Sequence, residues 1–175
     1  MIIRKEEPKD YQMVFNLIKT AFKDQEHTDH KEQFLVERLR NADSFVSKLA
    51  IVAQIENQIV GYILLTKITI VNDKGHETPS LALAPLAVLK KYQGKGIGRM
   101  LIRKAHQQAR ELGFCSVIVL GHQNYYPKFG YKTTLAYGIK LPFEAPPENC
   151  MLIELVENAL ENVSGVVAYP KEFYQ

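Results

Sequence analysis

The sequence has few cysteines and no long apolar run. The first feature argues against a disulfide-stabilised protein, and the second argues against a membrane-spanning one. Its 175 residues include two cysteines, Cys115 and Cys150, which lie far apart in the chain. Such a pair favours reduced thiols over a disulfide framework, so we expect a cytoplasmic protein. No apolar run approaches the roughly 18 residues of a transmembrane helix, and the sequence predicts no contact with a membrane. The segment 1–7 lacks the apolar core of a signal peptide.

Two familiar phosphate-binding motifs and a metal site are also missing. A P-loop requires Gly-Lys-Ser/Thr after four intervening residues, and this combination does not occur. The dinucleotide fingerprint requires a third glycine, but Arg99 stands where that glycine would follow Gly94 and Gly96. The five histidines and two cysteines never fall at the spacing of metal ligands, so we predict no metal site. Cys115 opens an apolar strand and is predicted to be a small core residue.

One long segment of the sequence lacks acidic residues, and another lacks basic residues. No acidic residue occurs from Leu81 to Arg110, and between Lys140 and Lys171 the bias reverses, with five glutamates and no basic residue. A polyanion docked at one place explains the first segment better than a generally basic surface does; the alternative is a solvated helix face. Nucleic acid is not expected, because the net charge is only +3 and exposed aromatic residues are not interleaved. The basic residues of the first segment are Lys90, Lys91, Lys95, Arg99, Arg103 and Lys104.

Hydrophobic periodicity predicts a mixed α/β fold in a single domain over residues 1–175, long enough to bury a core. The helices are predicted at about 10–22, 29–41 and 98–112, with a short helical turn at 124–129. The strands are predicted at 2–4, 49–55, 59–65, 81–88 and 116–120, with a further pair from Gly130 and a closing strand at 166–169; residues that favour strands continue to Val71.

Three details of the helices follow from the same patterns. Asp29, with Glu32 three residues later, is predicted to cap the second helix. Gly113 is predicted to stop the third helix. The residues of the third helix that are predicted to face inward are Met100, Leu101, Ala105 and Leu112.

The segment around which the chain is organised runs from an apolar strand through a basic turn into the third helix. Glycines stand on alternate positions of that turn, at 94, 96 and 98, where they allow positive φ and close approach of a ligand to the backbone. The first turn of the following helix has amide groups without internal partners, at the positive end of the helix dipole. These features predict a binding site for a phosphate or pyrophosphate.

The pattern Gln93-x-x-Gly96-x-Gly98, after a strand that ends in Val88, resembles the acyl-CoA signature of the GNAT N-acetyltransferase superfamily. Strand, glutamine, glycine spacing and helix all agree with that signature. The resemblance implies a GNAT-type fold, in which a mostly antiparallel central sheet is splayed at the cofactor slot and flanked by helices. It also implies that acetyl-CoA is the cofactor and that the reaction is acyl transfer, usually to an amine.

Other segments resemble the same family, and together they cover most of the chain. Tyr126–Tyr131 is similar to the family's Tyr-x-x-x-Gly-Phe/Tyr motif. Ala84–Val88, Tyr125 beside Tyr126, and Gly165–Tyr169 resemble a little-characterised bacterial group of predicted acetyltransferases.

The resemblance implies a role for each matching residue. A backbone N–H near Val88 would face the thioester carbonyl, Asn124 would hydrogen-bond the pantetheine arm, and Tyr126 would protonate the departing thiolate. Pro85 would help to separate its strand from the strand at 116–120. The residues implied in cofactor binding are Leu86, Ala87, Val88, Gln93, Gly94, Lys95, Gly96, Ile97, Gly98, Arg99 and Asn124.

The position that carries the general base in many relatives has no carboxylate in this sequence. Many relatives place a glutamate near the start of the strand before the phosphate turn, but Leu81–Ala84 contains no carboxylate. His122 is the first candidate, because the strand before it should open towards the acetyl group. The other candidates are Glu26, His27, His30 and Glu32, and a chain of water molecules is equally allowed.

The sequence leaves the acceptor and one alternative function open. The acceptor is expected to be an amine of a small molecule or a protein, bound by the first two helices, the loop after Lys140 and, in a homodimer, a second subunit. A non-catalytic module that senses acyl-CoA would use the same pocket. The missing strand carboxylate favours that alternative, whereas Tyr126 and Asn124 favour an enzyme.

Overall fold

The computed structural model describes residues 1–26 and 28–175, which form a mixed, mostly antiparallel sheet with three α-helices. This architecture confirms the predicted fold class. The helices are α1 (Tyr11–Phe22), α2 (Glu32–Arg40) and α3 (Ile97–Glu111). The longer strands are β1 (Ile2–Lys5), β2 (Ala50–Ile55), β3 (Gln58–Val71), β4 (Glu77–Val88) and β5 (Ser116–Leu120). The remaining strands are β6 (Lys132–Thr133), β7 (Ile139–Lys140), β8 (Cys150–Glu154) and β9 (Gly165–Ala168).

The described residues divide into two compact units. The first contains Met1–Thr66, Ala84–Gln108 and Glu172–Gln175, and the second contains Lys67–Leu83 and Ala109–Lys171. The first unit therefore holds α1, α2, β1, β2 and most of α3, whereas the second holds β5 to β9. Strands β3 and β4 contribute residues to both units.

The first unit packs two amphipathic helices on an antiparallel strand set. β2 pairs with β1, where Ala53 faces Ile3, and with β3, where Ile51 faces Ile63. The apolar residues of α1 and α2 recur at helical spacing, so each helix turns one buried face to the strands. Each fully buried aliphatic side chain contributes roughly 1.5–3 kcal/mol. The shared core comprises Val14, Leu17, Ile18, Val36, Leu39, Ala50, Val52, Ile59, Tyr62, Leu64 and Ala87.

Two ion pairs fasten this unit near its N-terminus. Arg4 donates to both carboxylate oxygens of Asp10, at 2.6 and 2.8 Å, and the Asp10 side chain is 0% exposed. Arg40 donates to Glu6 at 2.5 Å, and the Tyr62 hydroxyl lies 3.5 Å from the same carboxylate. Burial raises the pKa of Glu6, although Arg40 opposes that shift, and the bond from Arg4 lowers the pKa of Asp10.

The second unit is built around β5. This strand runs parallel to β4, where Val117 faces Leu81, and antiparallel to β8 along five residue pairs. β8 also pairs with the short β6, and β9 pairs with the end of β3 and with β7. β8 was not predicted from the sequence. Its apolar run Cys150–Ile153 follows Pro146, Pro147 and Asn149, a pattern that is consistent with a buried strand and was missed.

Helix ends show where local patterns succeed and where they fail. The N-cap of α2 is Lys31, so the predicted Asp29 cap is wrong; Asp29 instead accepts from the Lys31 N–H at 3.0 Å, before the helix starts. The predicted stop of α3 is confirmed: Gly113 has φ +86°, its N–H bonds Arg110, and the Phe114 N–H bonds Ala109. These two bonds form a Schellman motif.

Three side chains predicted to be inside are not buried. Leu112 is 37% exposed because it lies in the turn after the last residue of α3, and Met100, in the first turns of α3, is only half-buried. Leu101 and Ala105 are fully buried, as predicted. Cys115 is exposed because it belongs to the turn between α3 and β5 and precedes the first buried strand residue. Within the described part of the chain, no helix has both the length and the apolar character needed to cross a membrane.

Candidate functional site

The turn between β4 and α3 takes its shape from two glycines. β4 ends at Val88, a short 3₁₀ helix covers Lys90–Tyr92, and α3 begins at Ile97. Between them Gly94 has φ +74° and Gly96 has φ +79°. A Cβ at either glycine would meet no atom within 4 Å. The requirement for glycine therefore comes from the left-handed backbone and not from lack of space.

The first turn of α3 presents backbone donors. Its first helical hydrogen bond runs from the Met100 N–H to the Gly96 carbonyl, at 3.0 Å. The amides of Ile97, Gly98 and Arg99 precede that bond and so have no partner within the helix. They lie at the positive end of the helix dipole, where an anionic oxygen is stabilised. This arrangement suits a phosphate or diphosphate group.

The side chain of Gln93 joins the two ends of the turn. Its Nε2 donates to the Val88 carbonyl at 3.0 Å. Tyr92, the preceding residue, donates its hydroxyl to Gln58 at 3.2 Å, and the Leu89 N–H bonds the Val60 carbonyl at 3.0 Å. The turn is thus tied to the end of β4 and to β3 by hydrogen bonds that leave its glycines open.

Gly61 on β3 positions the start of α3, a role that the sequence reasoning missed. A Cβ at Gly61 would lie 2.9 Å from Leu101 Cδ1 and 3.0 Å from Ile97 Cγ2. These distances are shorter than van der Waals contact, so only glycine lets the first turns of α3 sit this close to the strand. A glycine inside an apolar strand is the one sequence signal for such an approach.

Basic side chains cluster at the turn and on the first half of α3. Five of the six basic residues from Lys90 to Lys104 are exposed, and Lys104 is half-buried. Lys90 lies 4.0 Å from Asp24, but both side chains are highly exposed, so the pair contributes little. Lys91 and Lys95 lie over the ring of Tyr92, at 4.9 and 5.1 Å from its centroid. The segment can offer several cations to one anionic ligand.

In the second unit, Tyr126 is held in an aromatic cluster. It is 8% exposed, and its ring makes edge contacts with Tyr125 at 5.2 Å and Tyr131 at 5.5 Å between centroids. A Cβ at Gly121 would lie 2.3 Å from the Tyr126 ring, so glycine is needed for the ring to take this position. Burial, and then Tyr125, raise the pKa of the Tyr126 hydroxyl well above its usual value. The phenol is consequently a proton donor at neutral pH.

His122 and Asn124 contact each other in the same unit. The Asn124 backbone N–H donates to Nδ1 of His122 at 3.2 Å, and both residues are exposed. With Nδ1 accepting this bond, the neutral imidazole carries its proton on Nε2. His122 can take up a second proton only by giving up its bond to Asn124. The Asn124 side chain is exposed and remains able to bind a ligand.

Three other candidates for the base, Glu26, His30 and Glu32, follow α1, and Glu32 is the first residue of α2. Glu26 is exposed, and His30 is exposed with its Nδ1 at 2.9 Å from the Phe22 carbonyl. Glu32 is half-buried, and burial raises the pKa of its carboxyl. His27 lies outside the described residues. Among residues 1–26 and 28–175, no group of three or more His, Cys, Asp or Glu side chains is arranged to hold a metal ion.

The predicted site residues fall into two sets. Leu86–Val88 and Gln93–Arg99 belong to the first unit, where the Gln93–Val88 bond brings both ends of that set together. His122, Asn124 and Tyr126 belong to the second unit.

The chain is similar to known proteins both in sequence and in structure. The sequence model of the acetyltransferase (GNAT) family matches residues 11–131. The chain is 27% identical over 173 residues to the uncharacterized N-acetyltransferase YhbS of Escherichia coli K12, covering 99% of this chain and 98% of that protein. It is 38% identical over 122 residues to the uncharacterized N-acetyltransferase YjhQ of the same strain, covering 68% and 66%.

Two solved structures of the family are similar over nearly the full length. The crystal structure of Escherichia coli YhbS in complex with CoA has a TM-score of 0.88 and 26% identity, and covers 99% of this chain and 92% of that chain. The Brucella melitensis GNAT acetyltransferase in complex with acetyl-CoA has a TM-score of 0.80 and 29% identity, with 98% and 97% covered. The glycine turn, the fold around it and the family match agree, and the chain belongs to the acetyltransferase (GNAT) family.

Proposed function

We propose that this protein is an acetyl-CoA-dependent N-acetyltransferase that moves an acetyl group to a primary amine of a small molecule or a protein. The observation that carries the proposal is the glycine turn at the start of α3, with free first-turn amides and basic neighbours, in a chain of the GNAT family. The complexes of YhbS with CoA and of the Brucella protein with acetyl-CoA support it. We take residues 1–175 as one catalytic domain.

The coenzyme would bind to backbone groups more than to side chains. In this proposal the amides of Gln93–Arg99 hold the diphosphate, and the nearby lysines and arginines neutralise its charge. Leu86–Val88 line the pantetheine arm, and Asn124 hydrogen-bonds it. Because the proposed donors are main-chain groups, substitution of Ile97 would weaken binding only where it changes the backbone, whereas substitution of Lys95 or Arg99 would also remove positive charge.

The proposed reaction is direct attack of the amine on the thioester. The amine lone pair attacks the carbonyl carbon, and negative charge develops on its oxygen. A fixed N–H near Val88 would stabilise that charge, an effect worth roughly 2.7–4 kcal/mol for one well-placed donor. The C–S bond then breaks, and the Tyr126 hydroxyl gives its proton to the thiolate. Because burial raises the pKa of Tyr126, the phenol is protonated at neutral pH, and the same shift makes it a weaker acid toward the thiolate.

His122 is the proposed acceptor for the proton that the amine nitrogen loses on attack. Its Nδ1 must release the Asn124 N–H to accept that proton, which couples proton uptake to a movement of the backbone at Asn124. The protein is proposed to act in the cytoplasm. A homodimer in which a second subunit completes the acceptor wall is part of the same proposal.

The test begins with calorimetry. Wild-type protein is expected to bind CoA, and Gly96→Val is expected to lose that binding, because a β-branched residue at φ +79° is strained. Thr69→Val, on β3 outside the proposed site, is the control. Thiol release from acetyl-CoA is then followed with a panel of primary amines. Binding without turnover across the panel would favour a non-catalytic sensor, and no binding at all would contradict both functions.

A further inference from the structure

We propose that the second unit contains a binding site for the guanidinium group of an arginine side chain. The site is a cleft of about 600 Å³, lined by β6 and the turn after it, by Glu154 at the end of β8, and by the loop 155–164. Ligand sites commonly have volumes of roughly 300–1,000 Å³. The residues that line the cleft do not overlap with those proposed to bind the coenzyme or to move protons, so the inference goes beyond the proposed function.

Glu154 joins the two sides of the cleft. Its Oε2 accepts a hydrogen bond from the Tyr137 hydroxyl at 3.3 Å, and its Oε1 accepts one from the Leu160 N–H at 2.8 Å. A carboxylate has about four acceptor positions, so about two remain for a ligand. Burial raises the pKa of Tyr137, and the charge of Glu154 raises it further, so the phenol keeps the proton that it donates. The carboxylate is thus fixed before a ligand arrives, which lowers the entropic cost of binding.

The loop 155–164 is held by its own hydrogen bonds. The Glu161 N–H donates to the Asn158 carbonyl at 3.1 Å, and the Val163 N–H donates to the Leu160 carbonyl at 3.0 Å. Leu160 is buried, which anchors the loop on the unit. Asn158 and Asn162 both line the cleft, and their amide oxygens are further acceptors for the N–H groups of a ligand.

The charge of the cleft favours a cation. From residue 141 to residue 170 the sequence has five glutamates and no basic residue. Two of these glutamates, Glu154 and Glu161, line the cleft, whereas Lys132 is the one basic residue of its described lining. The local field therefore disfavours a phosphate group. A metal ion is not expected either, because the described residues hold no group of three or more His, Cys, Asp or Glu side chains suited to one.

An aromatic ring beside carboxylates selects a guanidinium over an ammonium group. Tyr137 is half-buried and supplies that ring. A guanidinium is planar, matches a carboxylate with a fork of N–H donors and stacks on aromatic rings, whereas an ammonium is a compact point charge. Such a stack already exists in the first unit, where Cζ of Arg40 lies 4.0 Å from the centroid of the Tyr11 ring. Ala136 also lines the cleft and suits the methylene groups of an arginine side chain.

The experiment measures binding to the full chain by calorimetry without any coenzyme, so its outcome does not depend on acetyl transfer. The probes are the N-acetyl amides of arginine, lysine and citrulline, which share a neutral backbone. Citrulline has nearly the shape of arginine but no charge. Wild-type protein is expected to bind the arginine probe about tenfold more tightly than the citrulline probe and about threefold more tightly than the lysine probe.

Two further ligands identify the source of the guanidinium. A peptide with one central arginine and free L-arginine are titrated in the same way. A lower Kd for the peptide indicates a protein partner, whereas an equal or lower Kd for free L-arginine indicates the amino acid itself.

Variants test the residues of the cleft. Glu154→Gln is expected to raise the Kd for the arginine probe about tenfold, since it removes a charge-assisted hydrogen bond. Glu161→Gln and Tyr137→Leu should each raise it about threefold. Glu161→Gln also serves as the test if Glu154→Gln disturbs the loop. Glu144→Gln, an exposed glutamate of the same acidic segment outside the cleft, is the matched control and should leave Kd unchanged.

The ¹H–¹⁵N spectrum locates the binding. The arginine probe should shift amide signals within 132–138 and 154–165, and shifts confined to other segments would overturn the inference. It is also overturned if wild type shows no saturable binding of the arginine probe, or if the citrulline or lysine probe binds as tightly. An equal loss of affinity in Glu144→Gln and Glu161→Gln would likewise contradict it, because the charge of the whole segment would then attract the probe.

Discussion

Nε2 of Gln93 donates a 3.0 Å hydrogen bond to the carbonyl oxygen of Val88, joining the residue before the glycine turn to the last residue of β4. The bond crosses the start of the turn and fixes the peptide plane that follows Val88. Gln93 can thus influence ligand binding through the backbone that it holds, independently of any direct contact of its side chain.

Loss of this bond should weaken coenzyme binding with little effect on stability. Gln93→Ala removes one neutral hydrogen bond worth about 1 kcal/mol, so we expect the Kd for CoA to rise about fivefold. Gln93→Glu should raise Kd further, because a carboxylate would face the Val88 carbonyl. Gln12→Ala, which removes a bond to Asn16 within α1, is the matched control for calorimetry. Equal Kd values for Gln93→Ala and wild type would show that the bond does not shape the turn.

A methyl group at Gly61 should displace the start of α3. Gly61→Ala places a Cβ 2.9 Å from Leu101 and 3.0 Å from Ile97, and such overpacking typically costs about 1–3 kcal/mol. We expect both a lower denaturant midpoint and weaker CoA binding, although Gly61 is not among the proposed ligand-binding residues. The double variant Gly61→Ala/Leu101→Ala removes one of the two clashes. If it restores no CoA affinity relative to Leu101→Ala alone, the displacement of α3 is not the cause.

Substitution of Tyr126 should affect turnover and not coenzyme affinity. Tyr126→Phe keeps the ring and removes the proton donor, so we expect kcat to fall by about 10²-fold, the lower end of the usual ~10²–10⁴ for general acids. Because burial raises the pKa of Tyr126, the phenol stays protonated from pH 7 to 10. The ratio of wild-type to variant kcat should therefore be constant over that range. A ratio that falls between pH 7 and 9 would show that Tyr126 loses its proton there.

Gly121 offers an independent way to move the same ring. Gly121→Ala puts a methyl group within 2.3 Å of Tyr126, and the ring must shift to accommodate it. We expect a loss in kcat similar to that of Tyr126→Phe, together with a lower melting temperature. Tyr125→Phe keeps the edge contact with Tyr126 and should change kcat by less than twofold. A fully active Gly121→Ala variant with native stability would contradict the importance of the ring position.

The Arg4–Asp10 pair should stabilise the protein at neutral pH and not in acid. Asp10→Asn leaves the buried Arg4 contact without its charge partner and should lower the free energy of unfolding by about 2 kcal/mol. The pKa of Asp10 is lowered in the folded state, so this contribution is present above the unfolded value of about 3.9 and is lost as pH falls through the folded pKa. Urea unfolding at pH 7 and pH 3 measures the difference.

Glu37→Gln is the control for this pair, because Glu37 is an exposed carboxylate on α2 in the same unit. It should leave the urea midpoint unchanged at both pH values. A stability difference between wild type and Asp10→Asn that is as large at pH 3 as at pH 7 would rule out the charge as its origin.

Most elements of the fold could be predicted because their signals are local. The helical spacing of Val14, Leu17 and Ile18 predicts α1, and the alternate glycines predict the turn before α3. β8 was missed although the apolar run Cys150–Ile153 is consistent with a strand, and only the tertiary structure shows that it pairs with β5. The end of α3 was predicted correctly because Gly113 itself adopts the positive φ that ends a helix. The start of α2 was predicted wrongly because it depends on the conformation of the preceding loop and not on one residue.

The sequence by itself determined the family, the mixed α/β fold, the phosphate turn and the chemical types available, because short-range spacing encodes helices, turns and motifs. Only the tertiary structure decided that Gln93 bonds Val88, that Gly61 admits α3 and that Tyr137 donates to Glu154. Those properties depend on which atoms from distant segments come within a few ångströms. Such distances follow from packing of the complete chain, so no local pattern of residues encodes them.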